Sequence, residues 1–263
     1  MNPKLKKISI LLFPFASKPK AMSTTFLRAR WENLVMANFA VDPSILTPHL
    51  PAGTRLDFFE GRTYVSLVGF LFEKTRIFGV PVPFYGDFEE VNLRFYVVGE
   101  EDGQHRRGVV FINETVPFRA VATLANLLYS EHYSTRRMSH EIQRSESGFR
   151  IGYKWAGRQR GQKLWAEAGE NLRPMAPGGK EEFIFEHYYG YTRISDTVSE
   201  RYRVVHPSWQ VYDVRDYGVE CDFGEMYGDR FAHLTGKSPD SVFLAHGSDV
   251  RVEWKRFRFR VGK

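Results

Sequence analysis

From Phe26 onward the chain is cut into short alternating or apolar runs by Gly, Pro, Asn and Asp, and this texture constrains its fold more than any other feature. A period of two sets successive side chains on opposite faces of a strand, and closely spaced turn residues return the chain before a long helix can build. Strands are expected near 26–40, 54–59, 62–76, 88–98, 107–116, 140–145, 148–156, 161–168, 182–195, 200–206, 209–216 and 241–259. The fold class is therefore mainly β with some α, arranged as one large barrel or sandwich.

Helices are expected to be few. Asp42-Pro43 supplies an N-cap and a proline in the first turn, opening a short helix to about Leu50. Pro117 opens a second, where Val121, Leu124, Ala125 and Leu128 recur at helical spacing, and a third lies between Glu225 and Leu234. The loop 169–181 is the best turn-rich break, yet strand texture continues on both sides, so residues 22–263 read as one domain. Residues 1–21 read as an N-terminal extension, with an export or membrane-touching signal as the alternative. The expected compartment is the cytoplasm, export through residues 1–21 being the competing reading.

Composition narrows the function. The net charge is +6, but residues 1–21 hold five lysines and no acid, and residues 251–263 hold six cations against Glu253 alone. The body between is mildly acidic, which is not the footprint of a nucleic-acid-binding face. A single cysteine, Cys221, excludes an internal disulfide, and eight scattered histidines lack metal-ligand spacing, so neither metal nor cofactor is expected. There is no GxxxxGK[ST], GxGxxG after a strand, HExxH or GxSxG to support nucleotide, zinc-protease or α/β-hydrolase chemistry.

The segment FEEVNLRFYVV carries the most chemistry. As a strand it puts Val91, Leu93, Phe95 and Val97 on one face and Glu90, Asn92, Arg94 and Tyr96 on the other. Such a polar line suits either a solvated sheet face or the interior of a barrel that holds a polar ligand. In the next strand Glu114 shares a face with Val110, Ile112 and Val116, either ion-paired to Arg94 or Arg119 or acting as an acid or base. Read as a strand, FIFEHYYGYTR sets Phe183, Phe185, His187 and Tyr189 on one face, and VVHPSWQVY adds His206 and Trp209. His187 is either a core residue or a proton carrier.

These residues, with RARWENLVMANFAVDPSILTPHLPAG, VPVPF, RRGVVFINETVPFRAVATLANLLY and LAHGSDVRV, resemble the YqjF-like family, domain of unknown function 2071, over about residues 26–255. That family is similar in fold to acetoacetate decarboxylase, which implies an antiparallel β-barrel or cone with a ligand cavity and a few short covering helices. The decarboxylase works through a Schiff-base lysine whose pKa a neighbouring cation lowers. Where the resemblance implies that lysine pair, this chain has Arg119-Ala120-Val121, and arginine cannot serve as the amine. The resulting expectation is a cavity for a small, anionic organic molecule. Glu90, Glu114 and His187 are its catalytic candidates, and Asn92, Arg94, Tyr96, Arg119, Tyr189 and His206 its binding candidates. Lyase- or isomerase-like turnover and non-catalytic binding or sensing are the leading competing functions, and a structural or membrane-associated role through the basic N-terminus is a third. Membrane contact is expected only through residues 1–21; a homo-oligomer is an open option.

Overall fold

A computed structural model describes residues 25–101, 103–129, 132–253 and 257–260. The expected extension, 1–21, lies outside them. In chain order the strands are β1 Thr25–Val41, β2 Thr54–Leu56, β3 Thr63–Ile77, β4 Val80–Pro81, β5 Phe88–Glu101, β6 Gln104–Val116, β7 Tyr133–Thr135, β8 Met138–Ser145 and β9 Gly148–Ala156. They continue with β10 Gly161–Pro174, β11 Tyr189–Arg193, β12 Val198–Val205, β13 Gln210–Glu220, β14 Ser241–Glu253 and β15 Phe257–Arg260. The helices are α1 Pro43–Leu46, α2 Arg119–Tyr129, α3 Lys180–Phe185 and α4 Phe223–Tyr227.

Among the described residues all fifteen strands join one sheet, and seven of them close a ring in the order β12, β11, β6, β5, β3, β1, β14 and back to β12. Long antiparallel ladders hold β1, β3, β5, β6 and β14 together. The closure is lighter, with one parallel pair between β6 and β11 and two pairs between β12 and β14. From β14 the sheet runs on as β13, β10, β9 and β8, a wing that folds back over the outside of the ring.

This arrangement buries both faces of the central ring strands. Val35, Ala37, Phe39, Val65, Leu67, Val91, Leu93 and Phe95 point outward and pack with wing residues Ile151, Tyr153, Trp155 and Leu164. Leu34, Met36, Val68, Phe70, Phe72 and Phe88 point inward. Gly69 permits the close approach of the wing, since a Cβ there would sit 2.6 Å from the Tyr153 ring. His140 of β8 meets Glu89 of β5 at 2.7 Å and ties the wing's far edge to the ring.

The Asp42 cap is formed, its carboxylate accepting from the Ser44 amide at 2.8 Å. The second helix begins at Arg119, two residues after Pro117, and the third region is α4 followed by a 3₁₀ turn over Asp229–Leu234. The continuous strand expected over 182–195 is corrected. Residues 180–185 are α3, with Glu181 and Glu182 in its first turn and Phe183, Ile184 and Phe185 all buried, and the strand starts only at Tyr189. Acid near a helix N-terminus and three adjacent apolar residues on a short plug override the period-two reading.

Candidate functional site

Bulges in β1, β3 and β6 help shape the interior of the ring. Asn33 (φ 55°) interrupts β1 and Lys74 (φ 53°) interrupts β3, each in the left-handed region. In β6 the register slips at Ile112, so that Asn92 faces Glu114 while Arg94 faces Phe111. One extra residue flips the side-chain parity of everything beyond it. Glu114 therefore shares the inward face with Val116 and, across the bulge, with Val109 and Phe111; Val110 and Ile112 pack outward. The expected grouping of Glu114 with Val110 and Ile112 is corrected on that ground.

Inside lies a chamber of about 200 Å³. Its walls are mostly aromatic and aliphatic, including Trp31, Phe70, Phe72, Phe88 and Trp209, while Val121 and Leu124 of α2 cover one side. Glu90, Asn92, Arg94, Glu114, Tyr133, His187 and His206 supply its polar groups. The polar line of β5 is thus interior, with Glu90, Asn92 and Arg94 at 2%, 2% and 8% exposure.

Arg94 is the central cation. Its Nη2 donates to the Ile184 carbonyl at 3.2 Å and lies 3.9 Å from the Met36 sulfur, its guanidinium carbon is 5.7 Å from the Tyr96 ring centre, and its Nε has no partner. Among the described residues no carboxylate lies within salt-bridge distance of it. Asn92 donates to Glu90 at 2.9 Å, leaving the amide oxygen of Asn92 buried without a partner. The Tyr133 hydroxyl reaches Glu90 at 3.4 Å and also bonds Glu114. Burial raises the Glu90 carboxyl to about 7, against Asn92, Tyr133 and the Arg94 charge, which favour the ionised form. Burial and the two carboxylates push the Tyr133 phenol well above its ordinary value.

His187 sits beside this line, its ring centre 4.7 Å from that of Tyr96. Burial lowers its pKa to about 4, aided by Arg107 and Arg94 and opposed by Asp57, so the ring is neutral near pH 7. Its Nε2 lies 3.4 Å from Asp57, whose same oxygen accepts from Arg107 Nε at 2.7 Å, and its Nδ1 is buried without a partner. Burial alone would raise the Asp57 carboxyl, but the bonds from His187 and Arg107 outweigh it and lower it. His206 stacks on Trp209 at 4.2 Å, and its pKa is lowered by burial.

The remaining candidates divide. Tyr189 lines the chamber, with its hydroxyl accepting from Arg106 at 3.0 Å. Tyr96 is buried beside the chamber with its hydroxyl 2.6 Å from Ser66, a support for Arg94 and His187. Arg119 is exposed at the start of α2 and is not brought to the site. Asp57, Arg107 and Tyr133 escaped the sequence reading, because only the pairing of β2 with β5, of β6 with β5 and of β7 with β6 brings their segments here. No local pattern announces them. Lys154 and Lys163 both pair with Glu141 on the wing, and none of the described lining residues is a lysine. No cluster of three His, Cys, Asp or Glu suited to a metal occurs among the described residues.

Comparison with known proteins agrees with this architecture. An acetoacetate decarboxylase-like enzyme from Sphingomonas wittichii RW1 superposes with a TM-score of 0.60 at 11% identity, over 90% of this chain and 94% of that one. Acetoacetate decarboxylase from Legionella pneumophila gives 0.59 at 12% identity, over 90% and 87%. The enduracididine biosynthesis enzyme MppR, in complex with pyruvate, gives 0.61 at 12% identity, over 91% and 93%. At these identities the likeness is one of fold. The uncharacterized protein YqjF of Bacillus subtilis is 35% identical over 72 residues, an alignment spanning 27% of this chain and 30% of that protein. A family model described as an uncharacterized conserved protein matches residues 28–249, and the chain belongs to that family, domain of unknown function 2071.

Proposed function

We propose that the chamber binds an organic acid with an apolar body, its carboxylate held by Arg94 and its apolar part against the aromatic wall. One observation carries this reading: a guanidinium 8% exposed, with an orphaned Nε and no carboxylate in salt-bridge range among the described residues, faces a mostly apolar cavity. Burying such a charge is costly unless a counter-charge arrives, and a planar fork matches a carboxylate. The unpartnered oxygen of Asn92 and Nδ1 of His187 offer acceptors for a hydroxyl on the same ligand. A fold relative crystallised with pyruvate supports a carboxylate as the anion.

Glu90, raised to about 7, is the group able to give or take a proton at neutral pH. Neutral His187, oriented by Asp57, is a fixed acceptor at the Tyr96 end of the same chamber. With no lysine among the described lining residues, the reading is proton transfer assisted by carboxylates rather than chemistry through a covalent amine.

The test is calorimetric titration of pyruvate, phenylpyruvate and the uncharged phenylpropanol. Phenylpyruvate should bind most tightly. Arg94→Ala should weaken it by about 1.5–3 kcal/mol, the scale of a hydrogen bond to a charged group, and Arg94→Lys should recover part of that. The wild-type affinity should fall as pH rises through about 7, because an ionised Glu90 then repels the acid, and Glu90→Gln should flatten that profile. Unchanged affinity in Arg94→Ala, or no binding by either acid, would overturn the reading.

A further inference from the structure

On the outer surface of the ring, Arg28 of β1 stands directly opposite Arg251 of β14 on one side and opposite Arg76 of β3 on the other. All three side chains are exposed, and the pairing places them in one row across three adjacent strands. Like charges directly opposite one another destabilise a sheet. Acids do relieve the neighbouring rung, where Arg30 bonds Glu32 and lies opposite Asp249 and Glu73. Among the described residues no carboxylate lies within salt-bridge distance of Arg28, Arg76 or Arg251. Lys74 adds a fourth exposed cation to the same open groove.

The chain leaves this row through a loop that does the opposite of what a soluble loop does. Phe78, Val80 and Phe84 are 57%, 65% and 95% exposed, and Pro81 and Pro83 between them are exposed as well. Phe78 (φ 49°) and Phe84 (φ 66°) both hold the left-handed conformation, uncommon for a bulky side chain. Phe78 is two residues from Arg76, so the apolar tip continues directly from the cationic row. The other side of the same loop, Val82 and Tyr85, forms part of the chamber wall.

We infer that this face docks on an anionic lipid bilayer, with Arg28, Arg76 and Arg251 at the headgroup phosphates and the Phe78–Phe84 loop in the acyl boundary. A bilayer surface is the partner that offers phosphates and hydrocarbon at adjacent depths, as the row and the loop require. A nucleic acid would meet the arginines but offers no apolar depth to Val80, Pro81 and Phe84. A second copy joined about a two-fold axis through the row would set arginine against arginine. No helix among the described residues is long and apolar enough to cross a membrane, so the mode is docking of a surface. The inference stands on the exposed face and does not depend on what the chamber binds.

The full chain should float with vesicles of phosphatidylcholine containing 30% phosphatidylglycerol, and not with phosphatidylcholine alone. At about 1 kcal/mol per cation near an anionic surface, Arg28→Gln/Arg76→Gln/Arg251→Gln should weaken binding on the order of 100-fold. Phe84→Ser should also weaken it, by at least several-fold, with an unchanged melting temperature because the ring is almost wholly exposed. In a Phe84→Trp variant, the emission difference from wild type should shift to the blue on the anionic vesicles. Binding that survives the triple substitution would assign it to the basic chain ends and overturn the inference. No flotation, no blue shift, or equal competition by single-stranded RNA of matched charge would overturn it too.

Discussion

The two faces of β5 are buried alike and built from opposite chemistry. Val91, Leu93 and Phe95 are fully buried against the wing, while Glu90, Asn92 and Arg94, their immediate neighbours in sequence, are almost as buried inside the ring. The outer face stabilises the fold in the ordinary way, at roughly 1.5–3 kcal/mol for each large apolar side chain removed from water. The inner face does the reverse, since burying a carboxyl costs stability, as does burying an amide and a guanidinium that each keep an unpartnered atom. One strand thus carries the apolar core on one side and, on the other, the buried polar line on which the proposed binding rests.

Truncating the outer face should give the largest effect. Phe95→Ala removes a fully buried ring from the layer between ring and wing, and should cost about 3–5 kcal/mol in chemical denaturation. Because that layer joins the ring to the wing, both should still unfold in a single transition. A loss below about 1 kcal/mol would mean that the wing packs loosely and that the two faces differ less than their burial implies.

The inner face should announce itself through pH. His187 titrates near 4 when folded against 6.5 ordinarily, so between those values the unfolded chain binds a proton that the folded chain refuses, and stability falls as pH is lowered. Glu90 titrates near 7 against 4.5, so there the folded chain holds the extra proton, and stability falls as pH is raised. Between pH 4.5 and 6.5 the two slopes oppose and largely cancel. In Glu90→Gln the His187 slope is uncovered, and stability should climb from pH 4 to 6.5 by an amount on the order of 3 kcal/mol. In His187→Gln the Glu90 slope is uncovered instead, and stability should decline from pH 4.5 to 7. Denaturant midpoints across pH for both variants check this, and parallel profiles would show that neither group is buried as described.

The outer face was legible from sequence, since an unbroken alternation of Val, Leu and Phe needs only period two to be read. So was the polar line, as a line; that it faces inward depends on ring closure, which rests on the few β12–β14 and β6–β11 pairs that leave no local pattern. Glu114 lines the chamber, but the residues expected to share its face differ, because one extra residue at Ile112 inverts parity without changing composition. The helix over Lys180–Phe185 was hidden by its own hydrophobicity, three adjacent apolar residues being as compatible with a buried strand as with a plug. Asp57, which fixes His187, lies 130 residues away in sequence, and no spacing rule spans that distance.

The smallest expected effect belongs to Arg119, where the comparison between buried and exposed polar groups is sharpest. Both Arg94 and Arg119 were candidates for the same carboxylate, and only Arg94 reaches the chamber. Arg119 is exposed and opens α2, where a cation meets the positive end of the helix dipole. Alanine is also the better helix former at such a position. Arg119→Ala should therefore change stability by no more than about 0.5 kcal/mol, in the stabilising direction, and leave phenylpyruvate affinity unaltered. Thermal melts and titration read both quantities in one preparation. A loss of acid affinity comparable to that of Arg94→Ala would mean that α2 swings its first turn over the chamber when a ligand is bound, and that the site has two cations rather than one.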